Sequence, residues 1–210
     1  MISLPRMLLW LVLASPALIM IIGLLDASGA SAKDLPHPSG EMSVRLIILA
    51  MLPGPLVEFF GQNRFLRGWL MIRRNLGVAA FAYAMLHLLF HIIDAELVTA
   101  MLREVSQPRI WTGWLALAVL AVPASISFNR AVRRLGPYWK MLQRLAYGGF
   151  VLTLLHWFLI DRAWLPAAVH LAPLGIAWFL RLVARRSRRS LSGHNQQRRQ
   201  IGERFLCQSG

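Results

Sequence analysis

The chain has 210 residues, of which 57% are hydrophobic and only 15% are charged, and its formal net charge is +14. Together with a mean hydropathy of +0.52, this composition is typical of an integral membrane protein and excludes a chain built mainly as a water-soluble domain. The positive charge by itself does not indicate a nucleic-acid-binding protein, because no nucleic-acid-binding motif accompanies it.

Six apolar segments are predicted to cross a membrane, since each is close to the roughly 20 residues that a spanning helix needs. They lie at about 7–25, 44–60, 75–94, 110–128, 138–160 and 164–182. The second is expected to be kinked or short, because Pro53 and Pro55 cannot donate a helical hydrogen bond. The prediction is an all-α integral membrane bundle of six transmembrane helices over residues 1–182, followed by a basic cytoplasmic tail over 183–210.

Charge placement predicts the orientation, because lysine and arginine near span ends collect on the cytoplasmic side. Most of the 23 basic residues lie at the N terminus, in the loops after the second and fourth spans, and in the tail, whereas the other loops are richer in acids. Both termini are therefore predicted to be cytoplasmic. The tail is expected to contact anionic membrane lipid or an acidic soluble partner.

Three histidines fall within the predicted spans. His87 and His91 lie one turn apart on one face of the third span, and His156 lies at a similar depth on the fifth. An ionisable ring is costly inside a bilayer and indicates a functional partner, for which haem iron held between His156 and either His87 or His91 is the favoured candidate. Because Cys207 is the single cysteine, no CxxCH attachment exists and the haem would be b-type.

The role of His91 stays open at this point. It can be an alternative iron ligand, a hydrogen-bond donor to a haem propionate, or a packed histidine. Arg73, Arg74 and Arg144 flank the predicted cytoplasmic ends of the third and fifth spans, where guanidinium groups can bind a haem propionate or the phosphate of FMN. Membrane topology alone explains these arginines equally well.

Several motifs resemble the ferric reductase-like transmembrane domain family and, within it, the haem-binding membrane subunits of bacterial periplasmic methionine sulfoxide reductase systems. They are Ser39-Gly40, RRNLGVAAFAYAMLH from Arg73 to His87, Pro108-Arg109, and RRLGPYWKMLQRLAY followed by LLHW between Arg133 and Trp157. The resemblance implies a six-helix b-type cytochrome in the bacterial inner membrane, with His87 and His156 as haem ligands. It also implies electron transfer from a cytoplasmic flavin reductase or quinol to a periplasmic molybdopterin-containing reductase, with no catalytic residue in this chain.

One position departs from the pattern of that family. Members usually carry a further histidine near the start of the fifth helix, where this chain has Gln143. Gln143 precedes His156 by 13 residues, roughly 20 Å along a helix, which would suit a second haem nearer the cytoplasm. Because an amide is a poor iron ligand, one haem is expected and the second is doubtful.

Two other classes of function remain open. The chain could be a stand-alone ferric or quinone-linked transmembrane electron carrier, although it contains no nucleotide-binding fingerprint and its electrons would have to come from another molecule. It could also be a nonredox transporter or scaffold, in which His87, His91 and Glu58 would form a proton pathway.

Overall fold

The computed structural model describes residues 4–26, 32–94, 107–161 and 164–208, including side chains except those of residues 5, 32, 164 and 188–208. The described residues form helices and no β-strand. In chain order the α-helices are α1 Leu4–Leu25, α2 Pro36–Met51, α3 Pro53–Phe60, α4 Arg64–Asp94, α5 Pro108–Ser125, α6 Asn129–Leu135, α7 Pro137–Gln143, α8 Leu145–Asp161 and α9 Trp164–Gln208, with a 3₁₀ turn at Ala32–Asp34 before α2.

Four stretches of the described chain are long and apolar enough to cross a membrane. They are Arg6–Leu25, Pro36–Phe60, Arg64–Asp94 and Leu165–Ser187, and a fifth is counted if α5 and α6, which meet at 89°, form one broken span. The predicted fifth span is divided between α7 and α8, and α8 has 17 residues, or roughly 25 Å of helix. The all-helical membrane architecture is therefore supported, whereas six spans are not confirmed by helix length.

Helix α1 is hydrogen-bonded to α4 close to a proline in α1. Pro16 lies inside α1, where its ring nitrogen cannot donate a hydrogen bond to the preceding turn. The hydroxyl of Tyr83 on α4 enters this turn, donating to the carbonyl of Leu13 at 2.8 Å and accepting from the amide of Ala17 at 3.0 Å. The carbonyl of Leu13 and the amide of Ala17 are groups that pair across one turn of an α-helix, so the hydroxyl of Tyr83 contacts both partners of one turn of α1.

Helices α2 and α4 form the first of two closely packed helix pairs. Ser43 on α2 donates to the carbonyl of Ala80 at 2.8 Å, and the indole of Trp69 on α4 donates to the carbonyl of Leu49 at 2.9 Å. Apolar residues fill the interface between them, namely Val44, Ile47, Ile48, Leu76, Ala79 and Ala80. The interruption expected in the second span lies between α2 and α3, at Pro53.

Helices α5 and α8 form the second pair. Gly149 on α8 lies directly against Leu120 on α5, because a methyl group added at Gly149 would come within 2.6 Å of the leucine side chain. Close approach through a small residue is a common basis of helix packing in membranes. The two pairs stand next to each other and enclose the site described below.

The basic segment after the second predicted span is helical, which differs from the predicted loop. The connection is only residues 61–63, and α4 begins at Arg64. Arginine has a high helix propensity and a long side chain that can reach water from a helix end. The basic residues thus extend α4 rather than interrupt it.

Helix α9 is held against α3 by ion pairs. Glu58 contacts Arg181 at 2.6 Å and Arg185 at 2.8 Å. The helix continues to Gln208, through the predicted boundary between the bundle and the tail. The side chains of the predicted tail beyond residue 187 lie outside the described residues.

Candidate functional site

A cavity of about 440 Å³ lies between the α2–α4 pair and the α5–α8 pair. Its histidines are His87 and His91 from α4, His156 from α8, and His37 from the first turn of α2. The side chains of Val44, Ala84, Leu88, Ala116, Leu117 and Leu120 supply apolar wall. A few polar groups converging in a mostly apolar cavity are typical of a cofactor site.

The imidazoles of His87 and His156 face each other across this cavity. Their ring centroids are 6.2 Å apart and their planes are inclined by 83°. The structure thus brings together the two histidines that were predicted as iron ligands. His91 lines the same cavity one turn further along α4, but His87 is the α4 histidine whose ring faces that of His156.

Each of these two rings is anchored at the nitrogen nearer its own backbone. Nδ1 of His87 lies 2.7 Å from the carbonyl oxygen of Pro36, and Nδ1 of His156 lies 2.6 Å from the carbonyl oxygen of Arg109. A carbonyl can only accept, so Nδ1 carries the proton in both neutral rings and Nε2 retains its lone pair. This is the usual second contact of a metal-binding histidine, which fixes the tautomer and the ring orientation.

Two glycines allow the rings to lie this close to neighbouring helices. A methyl group built at Gly40 on α2 would lie 3.0 Å from Nδ1 of His87, and one built at Gly113 on α5 would lie 2.6 Å from Cε1 of His156. Side chains at these positions would push the rings out of place. The sequence motifs included Gly40 but not Gly113.

The mouth of the cavity carries both signs of charge. Lys33, Glu41, Asp94, Arg109 and Asp161 line it together with His37. His37 lies 3.7 Å from the carboxylate of Asp161. This end of the cavity therefore presents polar groups, while the facing histidines lie among apolar side chains.

The basic residues proposed for anion binding come together at a second cavity, of about 510 Å³. Arg73 and Arg74 from α4 and Arg144 before α8 line it with Lys140 and Gln143. The amide of Gln143 donates to the carbonyl of Pro123 at 3.0 Å and to the hydroxyl of Ser127 at 3.2 Å. Among the described residues that line this second cavity none is a histidine, and the charged ones are all basic.

Glu58 does not lie in the histidine cavity, although the proton-pathway hypothesis grouped it with His87 and His91. It is bound by Arg181 and Arg185 and does not belong to the described lining of the histidine cavity. The geometry thus separates Glu58 from His87 and His91.

The family model described as "Ferric reductase like transmembrane component" matches residues 39–154, more than half of the chain. The chain belongs to the ferric reductase-like transmembrane component family. Gly40, His87, Gly113 and Gln143 lie inside the range that this family model matches, and His156 follows two residues after its end. The family resemblance predicted from sequence is confirmed.

Individual relatives in this family carry the name "Protein-methionine-sulfoxide reductase heme-binding subunit MsrQ". The protein of that name from Rhizobium meliloti (strain 1021) is 32% identical over 122 residues, which cover 57% of this chain and 54% of the relative. The chain thus matches about half the length of that ferric reductase-like relative. The protein from Yersinia pseudotuberculosis serotype O:1b (strain IP 31758) is 32% identical over 154 residues, or 71% of this chain and 70% of the relative.

Proposed function

We propose that this chain is a haem-binding membrane subunit that carries electrons across a bacterial inner membrane. In this proposal one b-type haem lies between His87 and His156, and the electrons pass to a periplasmic molybdopterin-containing methionine sulfoxide reductase. The names of the relatives support haem binding and the association with methionine sulfoxide reductase. The observation that carries the proposal for this chain is the facing pair of anchored imidazoles.

The spacing of the two rings fits a single metal ion between them. Protein imidazoles bind first-row metal ions at about 2.0–2.1 Å through nitrogen, and the ring centroid lies about 1.2 Å behind that nitrogen. Two imidazoles that hold one ion between them would therefore have centroids up to roughly 6.5 Å apart, which is close to the 6.2 Å between His87 and His156. Haem iron with two histidine ligands fits these residues.

Bound haem iron would supply a one-electron redox couple. The protein's own contribution is to hold His87 and His156 in one tautomer, with Nε2 directed into the cavity and Nδ1 bonded to a carbonyl of a neighbouring helix. Gly40 and Gly113 make these bonds sterically possible. Apolar side chains line the cavity around these rings, and the two histidines would supply both protein ligands of the iron.

A single haem is favoured by the composition of the second cavity. Its described lining contains no histidine. The amide of Gln143, which does line it, already donates hydrogen bonds to Pro123 on α5 and to Ser127 just after α5. Its basic residues, Arg73, Arg74 and Arg144, suit an anion instead. We propose that this end receives electrons from a cytoplasmic flavin reductase or quinol, and that the phosphate of FMN is one anion these arginines can bind.

The proposed orientation follows from the distribution of charge along α4. Arg73 and Arg74 lie at the second cavity, whereas Asp94 lies at the mouth of the histidine cavity. The excess of basic residues near cytoplasmic span ends places the second cavity inward and the histidine cavity outward. Six spans, with α7 and α8 forming the fifth, would put both termini in the cytoplasm.

The deciding experiment is the ratio of haem to polypeptide in the detergent-purified full chain, measured by pyridine haemochrome absorbance after expression with ample haem. A ratio near one supports the proposal. A ratio near zero overturns the haem function and favours the transporter or scaffold alternatives. A ratio near two contradicts the single-haem proposal and would require ligands at the second cavity.

The acceptor is tested separately from the haem. Vesicles containing the chain with reduced haem would be mixed with a purified periplasmic methionine sulfoxide reductase, and reoxidation of the haem would be followed by its absorbance. Reoxidation that depends on both the reductase and methionine sulfoxide supports this acceptor. Haem that stays reduced with that acceptor but is reoxidised by ferric chelates or quinone supports the stand-alone carrier.

A further inference from the structure

The carbonyl of Pro36, which anchors the ring of His87, also accepts a hydrogen bond from a serine hydroxyl. The carbonyl oxygen of Pro36 lies 2.7 Å from Nδ1 of His87 and also accepts from the hydroxyl of Ser39 at 2.9 Å. Ser39 is completely buried, and its single hydroxyl proton is shared between this carbonyl and that of Leu35, which lies at 2.8 Å. The next residue, Gly40, is the one that lies against the histidine ring.

The surroundings of His156 repeat this arrangement on different helices. The carbonyl oxygen of Arg109 lies 2.6 Å from Nδ1 of His156 and accepts from the hydroxyl of Thr112 at 3.0 Å. Thr112 is 8% exposed, and the next residue is Gly113, against which the ring lies. A hydroxyl three residues after the anchoring carbonyl, followed by glycine, thus occurs at both histidines.

Hydroxyls in helices often bond to a carbonyl one turn earlier without any functional role. Ser125 on α5 does so, donating to the carbonyl of Val122 at 2.9 Å. The difference at Ser39 and Thr112 is that the same carbonyl also holds a facing histidine. Ser125 therefore provides an internal comparison for the effect of the hydroxyl alone.

We propose that Ser39 and Thr112 are positioning residues that set the electron-donating strength of His87 and His156, because each hydroxyl shares its acceptor carbonyl with the histidine ring. This inference depends on the proposed haem function. A carbonyl that accepts a second hydrogen bond has less electron density available for the imidazole N–H. The hydroxyls thereby weaken the N–H···O bond that makes a metal-bound imidazole more basic.

The consequence for the redox couple has a defined sign. Removing a hydroxyl strengthens the bond from Nδ1 to its carbonyl and increases the negative character of the ring. A more electron-rich ligand stabilises ferric over ferrous iron, so the reduction potential falls. Hydrogen bonding around the axial ligand is one of the means by which proteins adjust haem potentials.

The test compares midpoint potentials of the haem-loaded full chain by spectroelectrochemical titration, with electron paramagnetic resonance g values as a second measure of ligand character. Thr112→Val removes the hydroxyl and keeps the shape of the side chain, whereas Thr112→Ser keeps the hydroxyl. We expect Thr112→Val and Ser39→Ala to lower the potential and alter the g values. We expect Thr112→Ser and the control Ser125→Ala to match the wild-type chain.

Unchanged potentials in haem-loaded Thr112→Val and Ser39→Ala would overturn the inference while leaving the proposed haem function intact. A wild-type chain that binds no haem would overturn both the inference and the proposed haem function. Should Ser39→Ala fail to fold, the comparison of Thr112→Val with Thr112→Ser decides by itself. Equal shifts in these two variants would also overturn the inference, because only one of them lacks the hydroxyl.

Discussion

His87 and His156 face each other from α4 and α8 with ring centroids 6.2 Å apart, and each is bonded at Nδ1 to a helix that carries no histidine ligand. The carbonyls come from Pro36 at the start of α2 and Arg109 near the start of α5. Four helices thus fix the positions of two rings. The site depends on how the two helix pairs are assembled as well as on the histidines themselves.

Replacing either facing histidine should abolish haem retention. In His87→Ala or His156→Ala one of the two proposed iron ligands is missing, so we expect a haem ratio near zero by pyridine haemochrome. His91→Ala should retain haem, because His87 is the α4 residue that faces His156. His37→Ala is the matched control at the cavity mouth, where its side chain is 65% exposed. Full haem loading of both His87→Ala and His156→Ala would refute the ligand assignment.

A methyl group at Gly113 should disturb the site, whereas one at Gly148 should not. In Gly113→Ala the new carbon would lie 2.6 Å from the His156 ring, and such overpacking costs typically about 1–3 kcal/mol. Gly148 lies on the same helix as His156, and an added methyl group there meets nothing within 4 Å. We expect lower haem content and a lower melting temperature in detergent for Gly113→Ala, and neither change for Gly148→Ala. Equal behaviour of the two variants would contradict the packing argument.

Removing the hydroxyl of Tyr83 should loosen α1. Tyr83→Phe leaves the carbonyl of Leu13 and the amide of Ala17 without the group that bridges them. Leaving buried polar groups unsatisfied costs about 1–3 kcal/mol, and Tyr83 is only 3% exposed. We expect faster proteolysis of α1 and a lower melting temperature. Tyr138→Phe, at a 66% exposed tyrosine, is the control, and the prediction is wrong if both variants behave alike.

The ion pair between Glu58 and Arg181 should couple α3 to α9. Both side chains are partly exposed, so we expect a modest coupling energy of about 0.5–1 kcal/mol. A double-mutant cycle with Glu58→Gln, Arg181→Gln and the double variant, followed by thermal unfolding in detergent, measures it. Strictly additive effects would mean that the pair contributes nothing to docking of α9.

Local sequence patterns were sufficient for some parts of this fold. The run of apolar residues predicted helical membrane segments, and Pro53 predicted the break between α2 and α3. The extent of α4 was underestimated, because arginines were interpreted as loop residues although they continue the helix from Arg64. The division of the predicted fifth span after Gln143 was not visible either, since neither proline nor glycine stands at the break between Gln143 and Leu145.

The candidate site was also only partly accessible to sequence reasoning. His87 and His156 could be paired by depth, because the helical rise converts sequence distance from a span end into depth in the membrane. Their role as ligands stays a prediction. Thr112 and Gly113 carried no signal, because their importance arises from contact with a histidine on another helix.

The sequence by itself determined the membrane class, the family and the histidines available for a cofactor, because hydropathy, motif order and residue chemistry are properties of the chain. Only the tertiary structure decided that His87 rather than His91 faces His156, and that the carbonyls of Pro36 and Arg109 hold the rings. The physical reason is that the sequence specifies which face of a helix a side chain occupies. The packing of neighbouring helices decides which groups that face meets.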